Sequence, residues 1–276
     1  PSNSSLFASD PGESPGVIAD ALSTPVAPGP FDEMHGVAMR PSAGPAPAAP
    51  QSDMAAAPLT EHWGHFFESL GTDGFSDLNR RTAALHRQIR DNGVTYNVYA
   101  DASTAQRPWS LDLFPLIVSP QSWQQIEAGV LQRVRVLEDV MADVYGPQRL
   151  LADGLLPPAL VKGHPGYLRA MHGAQPMGNT HLHITAFDLA RGPDGMWWVV
   201  SQRTQAPSGL GYLLENRLSI SRQFPQAFES MQVQRLAGTY RALIDGLKQM
   251  SKGGAHAHIA LLTPGPYNET YFEHAY

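Results

Sequence analysis

Proline is spread so unevenly along this chain that it divides the sequence before any other feature does. Eleven of the 24 prolines lie in the first 58 of 276 residues, among alanine, serine and glycine. Proline fixes φ and removes a backbone donor, so a run such as PSAGPAPAAPQSDMAAAP, Pro41 to Pro58, neither pairs nor buries enough to offset its ordering entropy. The same stretch holds Asp10, Glu13, Asp20, Asp32, Glu33 and Asp53 against Arg40, which is −5 of the chain's net −6. Residues 1–58 therefore read as a disordered acidic leader, and the fold is expected from 59–276.

What remains is close to neutral and has only three lysines, Lys162, Lys248 and Lys252, so no basic nucleic-acid footprint is present. The absence of cysteine excludes a disulfide framework, a thiolate zinc site and a cysteine nucleophile. No run of about 18 apolar residues occurs, and no basic-then-apolar start. The expectation is a cytoplasmic protein with no membrane partner.

Beyond Leu59 the periodicities are those of a mixed α/β (α+β) domain. EHWGHFFESL is spaced as a helix, and SDLNRRTAALHRQIRDNG opens on Ser76 as an N-cap and closes on Gly93 as a C′ residue. VTYNVYAD reads as a strand. The clearest helix follows Ser119 and Pro120, with Trp123, Ile126, Val130, Leu131, Val134, Leu137, Val140, Met141 and Val144 at the 3.6 period. NTHLHITAFDLAR and MWWVVSQRT read as two strands joined through GPDG. A second long helix is expected from about Pro225 to Met250, then a buried strand in HAHIALLTPG and a final helix in YNETYFEHAY. That helix stops in mid-stripe, so the chain is expected to be the N-terminal part of something longer.

The strand pair is the most informative window for chemistry. Asp188 on the first strand faces Ser201 and Arg203 on the second, which suits either a grip on phosphates and metal or a plain surface hairpin. Pro207-Ser208-Gly209 and Gly211 then free the backbone beside it, to rest a phosphate on amides or simply to turn the chain. If the next segment is a strand, Glu215 and Arg217 share a face and line a pocket. Thr263-Pro264-Gly265 leads through Asn268 into a helix bearing Glu273 and His274, an arrangement that binds ligands at sheet edges. Arg107, before Trp109 and Asp112, suits an anion or an ion pair. His181 with His183, and His256 with His258, have the i, i+2 spacing of zinc ligands but no third ligand at a recognisable spacing.

The blocks FDLARGPDGMWWVVSQRTQAPSGLGYLLENR, LLTPGPYNETYFEHAY and RPWSLDLFPLIVSPQSWQQIEAGVLQRVRVLEDVMADVYGPQRLLADGLLP together resemble the circularly permuted ATP-grasp type 2 family, over most of residues 94–276. The resemblance implies a fold like that of glutathionylspermidine synthetases, with long helices packed on a mixed sheet. It also implies ATP and Mg as cofactors, and carboxylate and amine substrates, small-molecule or peptide, joined through an acyl phosphate. Relatives several hundred residues long imply an incomplete architecture here, and some carry a further helical domain, so a helical partner fused or encoded nearby is expected.

Carried over residue by residue, Asp188 takes the place of the family's first metal-binding acid. Arg203, Glu215 and Arg217 fall at catalytic positions, and Arg107, Ser208, Gly209, Asn268, Glu273 and His274 at nucleotide or substrate positions. The second strand departs from the pattern. Relatives of the short form commonly read Glu-Asp-Asn where this chain has Ser201-Gln202-Arg203, and neither serine nor arginine serves as a good magnesium ligand. Arg203 then either neutralises phosphate directly or marks a non-catalytic nucleotide- or partner-binding module. With so few lysines to hold phosphates, the 276-residue chain alone is expected to show no ligase activity.

Overall fold

The computed structural model describes residues 31–38, 58–71, 74, 76–96, 109–205 and 207–276. The expected strand at VTYNVYAD lies mostly outside these residues, and Arg107 wholly so.

The first described element falls inside the stretch read as leader. Strands β1 (Phe31–Asp32) and β2 (Val37–Ala38) pair antiparallel, Phe31 with Ala38 and Asp32 with Val37. The turn between them is built by Asp32, whose Oδ1 accepts from the amides of Met34 and His35 at 2.9 and 3.1 Å. It closes on Gly36 at φ 66°, whose amide donates to the Asp32 carbonyl at 2.8 Å. That glycine is also a close approach, because a Cβ there would meet Thr60 Cγ2 at 2.9 Å. The hairpin is fastened to the body by the Thr60 amide donating to the Met34 carbonyl at 2.7 Å.

Helices α1 (Glu61–Ser69) and α2 (Leu78–Asp91) supply much of the core, through Trp63 and Phe66 from the first and Leu78, Leu85 and Ile89 from the second. The N-cap of α2 is Asp77 rather than Ser76. Its end follows the sequence reading. Gly93 sits at φ 66° and donates to the Arg90 carbonyl at 3.0 Å, while Val94 donates to that of Ile89 at 3.1 Å, a Schellman motif with both apolar partners buried.

Helix α3 (Pro120–Val144) starts as expected, with Ser119 Oγ accepting from the Ser122 amide at 3.1 Å and Pro120 at the first position. Only Val144 of its 25 residues is buried. Trp123 and Leu131, on the apolar stripe, are 48% and 47% exposed, so this helix stands beside the core rather than in it. Short helices α4 (Arg149–Ala152) and α5 (Pro158–Lys162) follow.

Strands β3 (Ala186–Arg191) and β4 (Trp197–Arg203) form the predicted hairpin, turned at Gly195 with φ 79°. A bulge sits between the Asp188–Ser201 and Leu189–Val199 pairs and leaves Val200 extra, which increases the local twist. The mixed α/β class holds. Among the described residues its sheet is two antiparallel hairpins, and no strand forms over 256–265, where a buried one was expected.

Helix α6 (Leu210–Gln223) occupies the segment in which Glu215 and Arg217 would share a face only if it were a strand. It buries Tyr212, Glu215, Ser219 and Ile220 against α2 and the segment 109–117. The expected single helix over 225–250 is two, α7 (Pro225–Ser230) and α8 (Ala237–Gln249). The break is a second Schellman motif, in which Gln232 adopts φ 50° and the Gln232 and Val233 amides donate to Glu229 and Phe228 at 3.1 and 3.0 Å. Glutamine rarely takes that conformation, so the sequence carries no glycine to signal it. Helix α9 (Tyr271–Ala275) packs on α6.

Candidate functional site

The β3–β4 pairing brings Asp188 opposite Ser201, with Arg203 two residues further along the same strand. Ser201 Oγ donates to Asp188 Oδ2, and Arg203 Nη2 donates to Asp188 Oδ1 at 2.9 Å. Both carboxylate oxygens are therefore engaged, one of them by a cation. The pair is open to water, its side chains 56% and 49% exposed for Arg203 and Asp188.

Magnesium needs several hard oxygen ligands in near-octahedral order. Here the guanidinium opposes a second cation at Asp188, and the serine proton already points at the carboxylate. No group of three or more His, Cys, Asp or Glu able to hold a metal occurs among the described residues. The residues beside Asp188 do not fit magnesium. His181, one of the candidate zinc ligands, lies instead on Glu138. Its Nδ1 is 2.7 Å from Glu138 Oε1, and the same carboxylate accepts from the His181 and Leu182 amides at 2.7 and 2.9 Å. Burial opposes the charged carboxylate, but these donors outweigh it and hold Glu138 below the usual glutamate range.

At the glycine turn the amides are already engaged. Gly209, at φ 125°, begins α6, and its amide and that of Gly211 both donate to Glu273 Oε2, at 2.6 and 2.9 Å. An anion does rest on these amides, and it is the chain's own carboxylate. Gly211 has no room for a side chain, since a Cβ would lie 2.9 Å from Glu273 Cγ. Ser208 is exposed beside this contact.

Glu215 and Arg217 are separated by the helix. Two residues on an α-helix differ by about 200° in direction, so the shared face disappears. Glu215 is 3% exposed; its Oε1 accepts from Asn92 Nδ2 at 2.7 Å and Ser219 Oγ at 2.9 Å, and the Tyr276 hydroxyl also hydrogen-bonds to it. Gln88 Nε2 extends the network to Ser219 Oγ at 3.0 Å. Arg217 instead donates to the Gln234 carbonyl at 3.0 Å and lies 5.7 Å from the Phe228 ring centroid, with burial lowering its pKa.

Asn268 and His274 belong to the last turn. Asn268 Oδ1 accepts from the Thr270 amide and hydroxyl at 3.0 and 2.7 Å, and His274 Nε2 is 3.4 Å from that hydroxyl. Beside them an aromatic group gathers on Tyr212, which stacks on Trp109 at 4.4 Å and meets Phe272 at 5.5 Å. Trp109 Nε1 donates to Asn216 Oδ1 at 2.8 Å, and Tyr212 donates to the Thr95 carbonyl at 2.7 Å. Burial, reinforced by Glu273, pushes the Tyr212 hydroxyl up to about 12. The partners of Glu215, Asn92 from α2 and Ser219 one turn along α6, with Gln88 behind Ser219, are contacts that the sequence reading does not draw. The acid-to-serine spacing of Glu215 and Ser219, i and i+4, is the signal that a helical reading would have used.

The fold is a mixed α/β module in which the β3–β4 pair and the start of α6 carry the candidate residues. The sequence places it further: residues 115–276 match the circularly permuted ATP-grasp type 2 description, and the chain belongs to that family. ATP-grasp proteins in general use ATP and magnesium. An uncharacterized protein of Mycobacterium tuberculosis is 36% identical over 231 residues, 78% of this chain and 25% of the relative. A second from that organism is 33% identical over 210 residues, 76% and 37% of the two chains. One from Synechocystis is 34% identical over 185 residues, 67% and 38%. The chain thus spans between about a quarter and two fifths of the length of the curated relatives it matches.

Proposed function

We propose that this chain is a portion of an ATP-grasp ligase that joins a carboxylate to an amine. In that reaction a carboxylate oxygen attacks the terminal phosphorus of ATP and ADP leaves. The amine nitrogen then attacks the acyl carbon, inorganic phosphate leaves, and the nitrogen loses a proton. Family membership over 115–276 carries the reading. The substrates are small-molecule or peptide acids and amines, handled in water; no described helix is long and apolar enough to cross a membrane.

Within the reaction, Arg203 is the chain's candidate phosphate handle. Its guanidinium projects from the hairpin at 56% side-chain exposure and would exchange Asp188 for a phosphate oxygen pair. A protein that continues to the length of the relatives should supply the lysines and acids this stretch lacks. The test is release of ADP, with and without magnesium, by the 276-residue chain and by such a longer protein, in a mixture of amino acids and polyamines. Turnover is expected only from the longer protein, with loss on Arg203→Ala; turnover by the short chain alone would count against the reading.

The Asp188–Arg203 pair also favours a second reading, a non-catalytic ATP-grasp-like module that binds nucleotide or a partner. Nucleotide binding by the longer protein without ADP release in any acid and amine mixture would select it.

A further inference from the structure

Between α8 and α9, residues 258–264 belong to no helix, strand or turn, and their backbone groups make no hydrogen bond among the described residues. The side chains there are apolar and face water. Ile259, Leu261 and Leu262 are 48%, 71% and 97% exposed, and Ala260 between them is exposed as well. The run carries no charge from Ile259 to Leu262 and ends at Pro264, which is the composition of a strand with a stop behind it. Free backbone donors and acceptors beside exposed aliphatic side chains form a template onto which another strand adds.

The two sides of the run decide what covers it. In a strand successive side chains point to opposite faces, so Ile259 and Leu261 take one face and Ala260 and Leu262 the other. Both faces are apolar, the pattern of a strand buried on both sides by flanking layers. A second copy of the chain pairing edge to edge would satisfy one row of backbone groups and leave both faces in water. The occupant has to bring strands to the edges and a layer to each face, which takes a large piece of polypeptide. The relatives have that length, since this chain covers only 25%, 37% and 38% of three of them. We propose that residues 258–263 are a docking strand, buried on both faces in a sheet completed by the further part of a polypeptide as long as those relatives. The proposal rests on the longer protein invoked under the proposed function but on none of its chemistry. Once the sheet is complete, Thr263-Pro264-Gly265 lies at the carboxyl end of this strand, and α9, with Glu273 on the Gly209 and Gly211 amides, follows at its rim.

The experiment is amide hydrogen exchange, read by mass spectrometry on peptides covering 258–263, in the 276-residue chain and in the longer protein. The shorter chain should exchange there as fast as an unstructured peptide, and the longer protein at least about 100-fold more slowly. Leu262→Asp should leave the Tm of the shorter chain within about 1 °C, as at any solvent-exposed position, and lower that of the longer protein by at least about 5 °C. If the longer variant does not fold, exchange in the two parent proteins still decides. Fast exchange at both lengths would make the run a surface loop. Protection already present in the shorter chain would mean a second copy if it rises with protein concentration alongside a doubled mass, and a partner within these 276 residues if it does not. Each of these three results overturns the proposal, whereas failure of the longer protein to release ADP leaves it untouched.

Discussion

Replacing Glu273 with alanine should unfasten the last helix from α6, and the size of the effect can be worked from its two hydrogen bonds. Glu273 Oε2 accepts from Gly209 and Gly211 at 2.6 and 2.9 Å, at the start of a 14-residue helix. Removing a helix N-cap costs about 0.5–2 kcal/mol, and a hydrogen bond to a charged group contributes about 1.5–3 kcal/mol. The contact is half-buried and water can reach the freed amides, so the sum is discounted to about 2–3 kcal/mol. For a domain of this size that corresponds to a fall of about 4–12 °C in Tm. Glu273→Gln keeps one acceptor and loses the charge, so about half the effect should remain. The assay is urea denaturation followed by circular dichroism, with amide exchange at Gly209 and Gly211 as the local readout. The reasoning is refuted if Glu273→Ala lies within about 0.5 kcal/mol of the parent while those two amides keep their protection.

Four further outcomes are expected. Gly211→Ala should destabilise by about 1–2 kcal/mol despite the better helix propensity of alanine, because its Cβ meets Glu273 Cγ at 2.9 Å; equilibrium unfolding checks this. Stability should fall as pH rises from 10 towards 12: the unfolded Tyr212 hydroxyl ionises near 10.0 while the native one, pushed up by burial, keeps its proton to about 12, so the native state binds more protons across that window. An ultraviolet titration at 295 nm should show Tyr212 and the other raised tyrosines, Tyr96, Tyr240 and Tyr276, ionising late. At the acid end Glu138, held below its usual range, contributes stability that is present above 4.5 and lost as pH falls through its native value; Glu138→Gln should flatten that limb in a pH series of melts. Asp188→Asn should change stability by less than about 1 kcal/mol, as for any solvent-exposed ion pair, and millimolar magnesium should leave the Tm of the parent chain unmoved.

What the sequence disclosed was what short-range chemistry specifies. Ser119 with Pro120, Gly93, and the GPDG turn each encode a backbone conformation within a few residues, and each stands where the pattern put it. Where the same conformation was taken by a residue with no preference for it, the pattern was blind: Gln232 breaks a helix at φ 50° without a glycine. The segment LGYLLENRLSI has apolar residues at both two- and four-residue spacings. Burial of Tyr212, Ser219 and Ile220 against α2 decides for a helix, and that long-range contact is what separates Glu215 from Arg217. The hairpin at 31–38 was hidden by composition, although Asp32 and Gly36 bracket its turn in the sequence. The candidate site was legible as a list of residues and not as a constellation. Asp188 and Arg203 were placed together by strand pairing, whereas Glu273 was expected to meet a ligand and meets two backbone amides instead.

The ion pair between Glu33 and Arg191 spans 158 residues of sequence. During synthesis at about 5–20 residues per second, the β1–β2 hairpin leaves the ribosome some 8–30 s before the strand that supplies its arginine, and two-residue strands are too short to hold their pairing alone for that time. The N-terminal hairpin therefore completes its docking only when the β3–β4 turn has been made. A nascent chain arrested before Arg191 should leave the Phe31 region open to protease, and one arrested well beyond Trp197 should protect it.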